Sequence, residues 1–343
     1  MKKFVFPALL VAICLVITAA FTEIAVRLVA DDGMQFDLEM WKYARDVKVV
    51  SADPLIGHEH GPDRKAVLMG TEVETNSKGQ RDREIAYERT PGVLRVAMVG
   101  DSLTEGWGVP FESTFSKRIE RLYAAAGTKA DVVNLGVGNW NTVQEVQHFL
   151  TKGYKYSPDI VVLNYFVNDA EPTPERRQPP STLLQYCYSC VFFKGRLDTV
   201  LRQLTTRQDW AEFYLGLYDG GKSKGWLDAK AAIKRLADYC KQNNITLLIA
   251  HLPELHDVQN YRFGQVTELV RQAAQENNAP FVDLLPNLQF QASSDLWVTP
   301  PDPHPNAFAN ELIAAGLFSA LQKLNGSAAA GNQQGVSLPV TVR

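Results

Sequence analysis

Apolar positions along the chain fall into two rhythms. Short, nearly unbroken apolar runs occupy about 94–99, 131–135, 159–166, 245–251 and 280–284. Around them, apolar residues recur every three or four positions over about 113–126, 143–152, 227–243, 264–277 and 307–324. Val266, Leu269, Val270 and Ala273, for example, share one helical face. The short runs read as strands buried on both sides, and the periodic segments read as amphipathic helices. Strands alternating with helices predict an α/β fold with a parallel sheet covered by helices on both faces, a three-layer α/β/α arrangement of about five strands.

Residues 1–30 break both rhythms. Lys2 and Lys3 precede a stretch, 4–22, that carries no charge. Its length approaches the roughly 20 apolar residues that cross a bilayer. The helical pattern runs on through Glu23 and Arg27, four apart and able to pair. Thr18-Ala19-Ala20 is a poor cleavage site, and no lipobox precedes Cys14. The segment therefore reads as an uncleaved transmembrane signal anchor, with a cleaved signal peptide as the rival. Lys2 and Lys3 would hold the N-terminus in the cytoplasm and leave the rest on the extracytoplasmic, periplasmic side, or secreted if the segment is cut.

Residues 31–91 read as an N-terminal extension with short strands, among them the alternating stretch 71–76. His58 and His60 fall in the turn-rich loop 53–62 and are expected to be solvated rather than metal-bound. Residues 92–325 form the main domain. Within it, 170–226 interrupts the alternation with prolines (Pro172, Pro174, Pro179, Pro180) and then aromatics (Tyr186, Tyr188, Phe192, Phe193, Trp210, Phe213, Tyr214, Tyr218, Trp226). This helical insertion is either a cap over the substrate pocket or an excursion with a small core of its own. The tail 326–343 is low in complexity and is expected to be disordered.

Composition narrows the function. The 343 residues are 45% hydrophobic and 21% charged, as in an ordinary globular protein. A net charge of −3 lacks the basic excess of a nucleic-acid-binding face, and Glu175-Arg176-Arg177 reads as solvated surface. Cys240 falls on a helix face with Ile233, Leu236 and Ala237 and is expected in the core. Cys187 and Cys190 lack the further ligands a zinc site needs; outside the cytosol they would form a short disulfide or stay inert thiols. Nothing calls for a metal or cofactor.

The chemistry centres on 96–104, where an apolar strand ends in Gly100-Asp101-Ser102. The carboxyl edge of a parallel sheet is where ligands bind. A serine there is either an exposed nucleophile or a helix cap. A nucleophile needs a base, a group that orients the base, and donors for an oxyanion. His304 is the base candidate. Asp302, two residues earlier in the proline-rich segment 297–306, can fix its tautomer. Oxyanion donors would be the Ser102 N–H, an N–H of Gly138 or Asn139 from the loop 134–142, and the Asn168 amide, although Asn168-Asp169 alone also reads as a helix cap. Asp101, Trp140, Asn141, Asp169 and Glu254 are expected to line the substrate cleft. Trp140 would stack on a sugar or pack under its loop, and 251–256 should border the active edge.

Together these residues resemble the SGNH hydrolase superfamily, the GDSL esterases and lipases, in a membrane-anchored bacterial form. Its four blocks occur in order over about 92–325: Gly100-Asp101-Ser102, the 136–142 loop, Asn168-Asp169, and Asp302 with His304. The resemblance implies a flavodoxin-like sheet, Ser102 as nucleophile, His304 as base, Asp302 as its partner, and Ser102, Asn168 and a second-block N–H as the oxyanion hole. Three departures stand out. Phe166 occupies a usual glycine place, the last block is Asp-x-His rather than Asp-x-x-His, and the second-block glycine falls at Gly138 or at Asn139. The implied function is an esterase removing a short, acetyl-like acyl group from a carbohydrate or small molecule. The alternatives are an O-acyltransferase that uses the same residues on an extracytoplasmic polysaccharide, beside a membrane partner that supplies the acyl group, and a non-catalytic glycan-binding protein.

Overall fold

The computed structural model describes residues 2–173, 184–205 and 209–333. Pro174, Glu175, Arg176, Arg177, Pro179 and Pro180 lie outside the described residues. The chain opens with α1 (Lys2–Val29) and α2 (Phe36–Asp46). Two antiparallel pairs follow, β1 (Lys48–Val50) with β2 (His58–His60), and β3 (Lys65–Leu68) with β4 (Thr71–Glu74). The alternating part comprises β5 (Leu94–Val99), α3 (Ser102–Glu105), α4 (Phe115–Ala125), β6 (Ala130–Asn134), α5 (Thr142–Thr151) and β7 (Ile160–Tyr165). Then come α6 (Tyr188–Thr205), α7 (Trp210–Gly216), α8 (Lys224–Gln242), β8 (Thr246–His251), α9 (Gly264–Glu276) and β9 (Phe281–Asp283). The short α10 (Leu285–Leu288), the pair β10 (Trp297–Thr299) and β11 (Asp302–Pro305), and α11 (Ala307–Gln333) complete it.

All five expected strands pair in parallel, in the order β6-β5-β7-β8-β9. That is the flavodoxin-like order, and it puts the reversal of connection between β5 and β7. Side chains alternate across the sheet. Ala97, Val99, Leu163 and Ile249 pack against α5, α8 and α9, with Phe149, Leu236, Cys240 and Val270 in that layer. Val96, Met98, Val162 and Ala250 pack the other way, against Phe115, Ile119, Ile313 and Leu317 of α4 and α11. Because both faces are covered, β7 is buried along its whole length, which is why it reads as a continuous apolar run.

The insertion divides its work. The first half, α6, packs on α1 and α2 through Val26, Ala30, Leu38 and Tyr188. Glu23 of α1 accepts from the Tyr188 and Ser189 N–H groups at 3.0 and 2.9 Å, and the Arg27 guanidinium lies 4.3 Å above the Tyr188 ring. Cys187 and Cys190 are disulfide-bonded at the start of this helix, and Cys240 is buried. The second half, α7, turns Trp210 and Tyr214 onto the main cavity. The insertion thus packs on the N-terminal helices through α6 and borders the cavity through α7. Two expectations are corrected. The helix α11 continues through Gln333 into the segment expected to be disordered, helped by the helix-favouring Ala328-Ala329-Ala330. His58 and His60 are not solvated, because β2 sets His58 against the Gly138 carbonyl in the loop after β6 and His60 against the Tyr43 hydroxyl of α2. Within α1, Phe6–Val29 is long and apolar enough to cross a membrane, with a mean hydropathy of 2.5.

Candidate active site

The turn after β5 is built by close packing. At Gly100 a Cβ would meet the Thr104 hydroxyl oxygen at 2.1 Å, and at Gly136 it would meet the Glu105 nitrogen at 2.3 Å. Glycine at both places lets α3 start directly on the ends of β5 and β6. Asp101 caps that start by accepting the Leu103 N–H at 2.9 Å. The Ser102 side chain is thereby held at the carboxyl edge of the sheet, at the crossover between β5 and β7.

There Ser102 Oγ lies 2.9 Å from His304 Nε2. His304 Nδ1 lies 2.5 Å from Asp302 Oδ1, which also accepts the His304 backbone N–H at 3.1 Å. The sequence suggests a proline-braced loop; the structure has a strand. On β11 the side chains of residues two apart point to the same face, so the Asp-x-His spacing sets carboxylate and imidazole side by side. Burial pulls the His304 imidazole down, but the Asp302 charge and hydrogen bond, with Asp101 and Glu105 further off, outweigh it, and its pKa is raised. Burial likewise works against the Asp302 carboxylate, yet His304 and Trp107 hold it below its usual value.

The donors sort themselves by what their N–H groups already do. Gly138 is not available: its N–H donates to the Tyr43 hydroxyl at 2.9 Å and to Glu105 at 3.2 Å. Asn139 takes φ +64°, the left-handed conformation that glycine adopts most easily and asparagine tolerates. It therefore holds the glycine-like place in this loop, and its N–H has no partner among the described residues. The Ser102 N–H is equally uncommitted among them. Asn168 borders the same cavity, with its side chain against the Asp101 carboxylate.

A cavity of about 550 Å³ opens over Ser102 and His304. Phe36, Trp107, Phe166, Trp210, Tyr214 and His256 give it a largely aromatic wall. Glu254 and Asn141 border it as expected, though both are engaged. Glu254 holds His256 Nδ1, and the Asn141 amide donates to Glu171 O at 2.9 Å while its carbonyl caps α5. Two expectations fail here. Asp101 and Asp169 do not line the cleft. Both are buried; Asp169 accepts the Phe166 N–H at 2.9 Å, and burial raises the pKa of each. His251 is buried beneath the edge, so the segment that borders the cleft begins after it. Trp140 borders the cavity as expected, in the second of its two roles. It is 2% exposed, packs under its loop, and donates its indole N–H to His58 O at 2.8 Å.

Several participants were invisible in the sequence. Tyr43 and Lys48 reach in from the extension, Trp107 bonds Asp302, and Arg81 is buried with its guanidinium donating to Val109 O at 2.7 Å and to Gly106 O. Each sits in an unremarkable local context and finds its partner far along the chain. No group of three or more metal-ligating side chains occurs among the described residues.

The family model for the GDSL-like Lipase/Acylhydrolase family matches residues 98–312. The chain belongs to this family, and it is a carboxylic ester hydrolase. No curated protein matches it in sequence. Among solved structures, TesA is 11% identical with a TM-score of 0.45, over 67% of this chain and 99% of that one. The psychrotrophic esterase EstA from Pseudoalteromonas sp. is 13% identical with a TM-score of 0.43, over 68% and 98%. A mutant form of Axe2, an acetyl-xylooligosaccharide esterase from Geobacillus Stearmophilus, is 15% identical with a TM-score of 0.44, over 66% and 93%.

Proposed function

We propose that this ester hydrolase is membrane-anchored and removes a short, acetyl-like acyl group from a carbohydrate or small-molecule alcohol, through an acyl-enzyme on Ser102. The observation that carries the reading is the hydrogen-bonded line from Ser102 Oγ through His304 to Asp302, at 2.9 and 2.5 Å, facing the cavity. In this reading His304 Nε2 takes the Ser102 proton as Oγ attacks the ester carbonyl. The carbonyl oxygen gathers charge and is held by the Ser102 N–H, the Asn139 N–H and the Asn168 amide, each worth about 3 kcal/mol in such sites. His304 then gives the proton to the departing alkoxide. A water loses its proton to His304, attacks the acyl carbon and releases the acid, and Ser102 recovers its proton. Asp302 keeps the tautomer and stabilises the imidazolium throughout.

The substrate class draws support from the cavity wall. Trp210 stacks on His256 at 4.2 Å, and Glu254 holds that imidazole from behind. A flat aromatic face beside a held polar ring suits a sugar better than a long acyl chain. The membrane reading draws support from α1. Its apolar span is nearly free of protein contacts, and only its last turns dock on α6. The catalytic domain then stands on the extracytoplasmic side.

The test is the intact mass of the full chain in detergent after exposure to a fluorophosphonate, with Ser102→Ala alongside. One adduct on the wild type and none on the variant supports the assignment. Adducts on both, or on neither, remove it. Ser102→Ala and His304→Ala should each lower kcat on a soluble acetyl ester by about 10⁴-fold or more while the melting temperature stays within a few degrees.

A further inference from the structure

The Gly138–Asn139 peptide is gripped by the N-terminal extension. The Gly138 carbonyl accepts from Lys48 Nζ at 2.6 Å and from His58 Nε2 at 3.2 Å. Lys48 Nζ also donates to Asn139 Oδ1 at 2.8 Å. On the other side of the same residue, the Gly138 N–H is fixed by the Tyr43 hydroxyl and Glu105. Lys48 is itself held, with its ammonium 4.3 Å over the Tyr43 ring.

A trans peptide is planar, so its carbonyl and its N–H point in opposite directions. Fixing the Gly138 carbonyl on Lys48 therefore aims the Asn139 N–H away from the extension. That N–H has no partner among the described residues, and Asn139 borders the cavity that Ser102, Asn168 and His304 share. A cation on the carbonyl oxygen also draws electron density through the peptide and leaves its N–H a stronger donor. His58 reinforces the grip without a competing charge, since burial, aided by Lys48, lowers its pKa to about 4 and leaves it a neutral donor.

We infer that Lys48, reaching in from β1, is a positioning residue for the oxyanion hole: its ammonium orients and polarises the Gly138–Asn139 peptide so that the Asn139 N–H meets the charge developing on the acyl oxygen at Ser102. The extension is then part of the active site rather than an appendage. This rests on the reading of Ser102 as the nucleophile.

The groups facing Lys48 are Tyr43 of α2, His58 and His60 of β2, and Glu105 of α3. Burial lowers the Lys48 pKa to about 7 against the pull of Glu105. Loss of its proton above that pH should weaken the grip.

The experiment compares Lys48→Met and Lys48→Arg in the full chain, using a soluble acetyl ester and a fluorophosphonate. Lys48→Met should lower kcat by about 10- to 100-fold, less than deletion of a donor outright, with KM within about three-fold. Fluorophosphonate labelling should slow in parallel, because the phosphonyl oxygen uses the same hole. Lys48→Arg, which keeps charge and donors, should recover most of the loss and move the alkaline fall in activity to higher pH. If Lys48→Met melts early, Lys48→Gln, which is polar but uncharged and one bond too short to reach the Gly138 carbonyl, should show the same kcat loss. Wild-type kcat, labelling rate and alkaline limb in Lys48→Met would overturn the inference. So would a loss in kcat, KM and melting temperature together that Lys48→Arg does not recover, since that marks a strut. Equal labelling of Ser102→Ala and wild type would instead sink the nucleophile assignment itself, and the inference with it, whatever Lys48→Met does.

Discussion

The Trp107 indole N–H donates to Asp302 Oδ2 at 2.8 Å, so both oxygens of the carboxylate that holds His304 are themselves held. Trp107 follows α3 after Gly106, and its backbone N–H donates to Ser102 O at 3.0 Å. One residue thus ties the acid on β11 to the turn that carries the serine, and it fixes the distance between them. Trp107→Phe keeps a ring in contact with Tyr43 and His304 but leaves a buried carboxylate oxygen without its donor. Losing a bond of that kind costs about 1–3 kcal/mol. We expect kcat/KM on a soluble acetyl ester to fall about 10-fold or more while the melting temperature drops by only a few degrees. Steady-state kinetics beside thermal melting checks this.

The sign of the pH dependence follows from His304. Its pKa is raised above 6.5, and in the proposed mechanism the neutral imidazole is the form that takes the Ser102 proton. Activity should therefore be low in acid and rise as pH passes through that raised value, with the inflection above 6.5. Asp302→Asn removes the charge that raises it, so the inflection of the residual activity should move to lower pH, and kcat should fall by about 10⁴-fold. A pH profile of kcat/KM for both proteins, with an inflection that stays put, would contradict the pairing.

Trp210 sits on the cavity wall away from the reacting line, stacked on His256. Trp210→Ala should raise KM for an acetylated oligosaccharide by about 5- to 10-fold, the loss of roughly one aromatic contact. It should leave KM for a small aryl acetate nearly unchanged. An equal effect on both substrates would mean that Trp210 supports the fold of the wall rather than the sugar.

The anchor reading makes a fractionation prediction. The full chain should stay with membranes through alkaline carbonate washing, because about 20 apolar residues leave a bilayer only at great cost. A sample whose N-terminus begins past Ala30 after export would show instead that the segment is cut. N-terminal sequencing of the membrane and soluble fractions separates the two.

Much of the fold is legible along the chain because it rests on local periodicity. The five strands lie within a residue or two of where the apolar runs end, and helices such as α9 start and stop where the three-and-four spacing does. The meeting of Ser102, His304 and Asp302 at the sheet edge is legible for a related reason. A glycine-led turn at a strand end and a two-residue acid–imidazole spacing are local patterns that carry their geometry with them. The same local reading could not choose between Gly138 and Asn139, nor tell that Asp101 and Asp169 point into the interior. Those outcomes depend on Tyr43, Glu105 and Lys48, which reach the loop from other elements and settle which N–H is already used. Trp107 and Asp302 are likewise 195 residues apart. Periodicity dictates which residues form a strand and which face of a helix is buried. The direction of a single N–H or carboxylate at the edge of the sheet is decided only when distant elements pack there and claim some of the donors and acceptors and leave others free, because a buried polar group takes a partner where the fold supplies one.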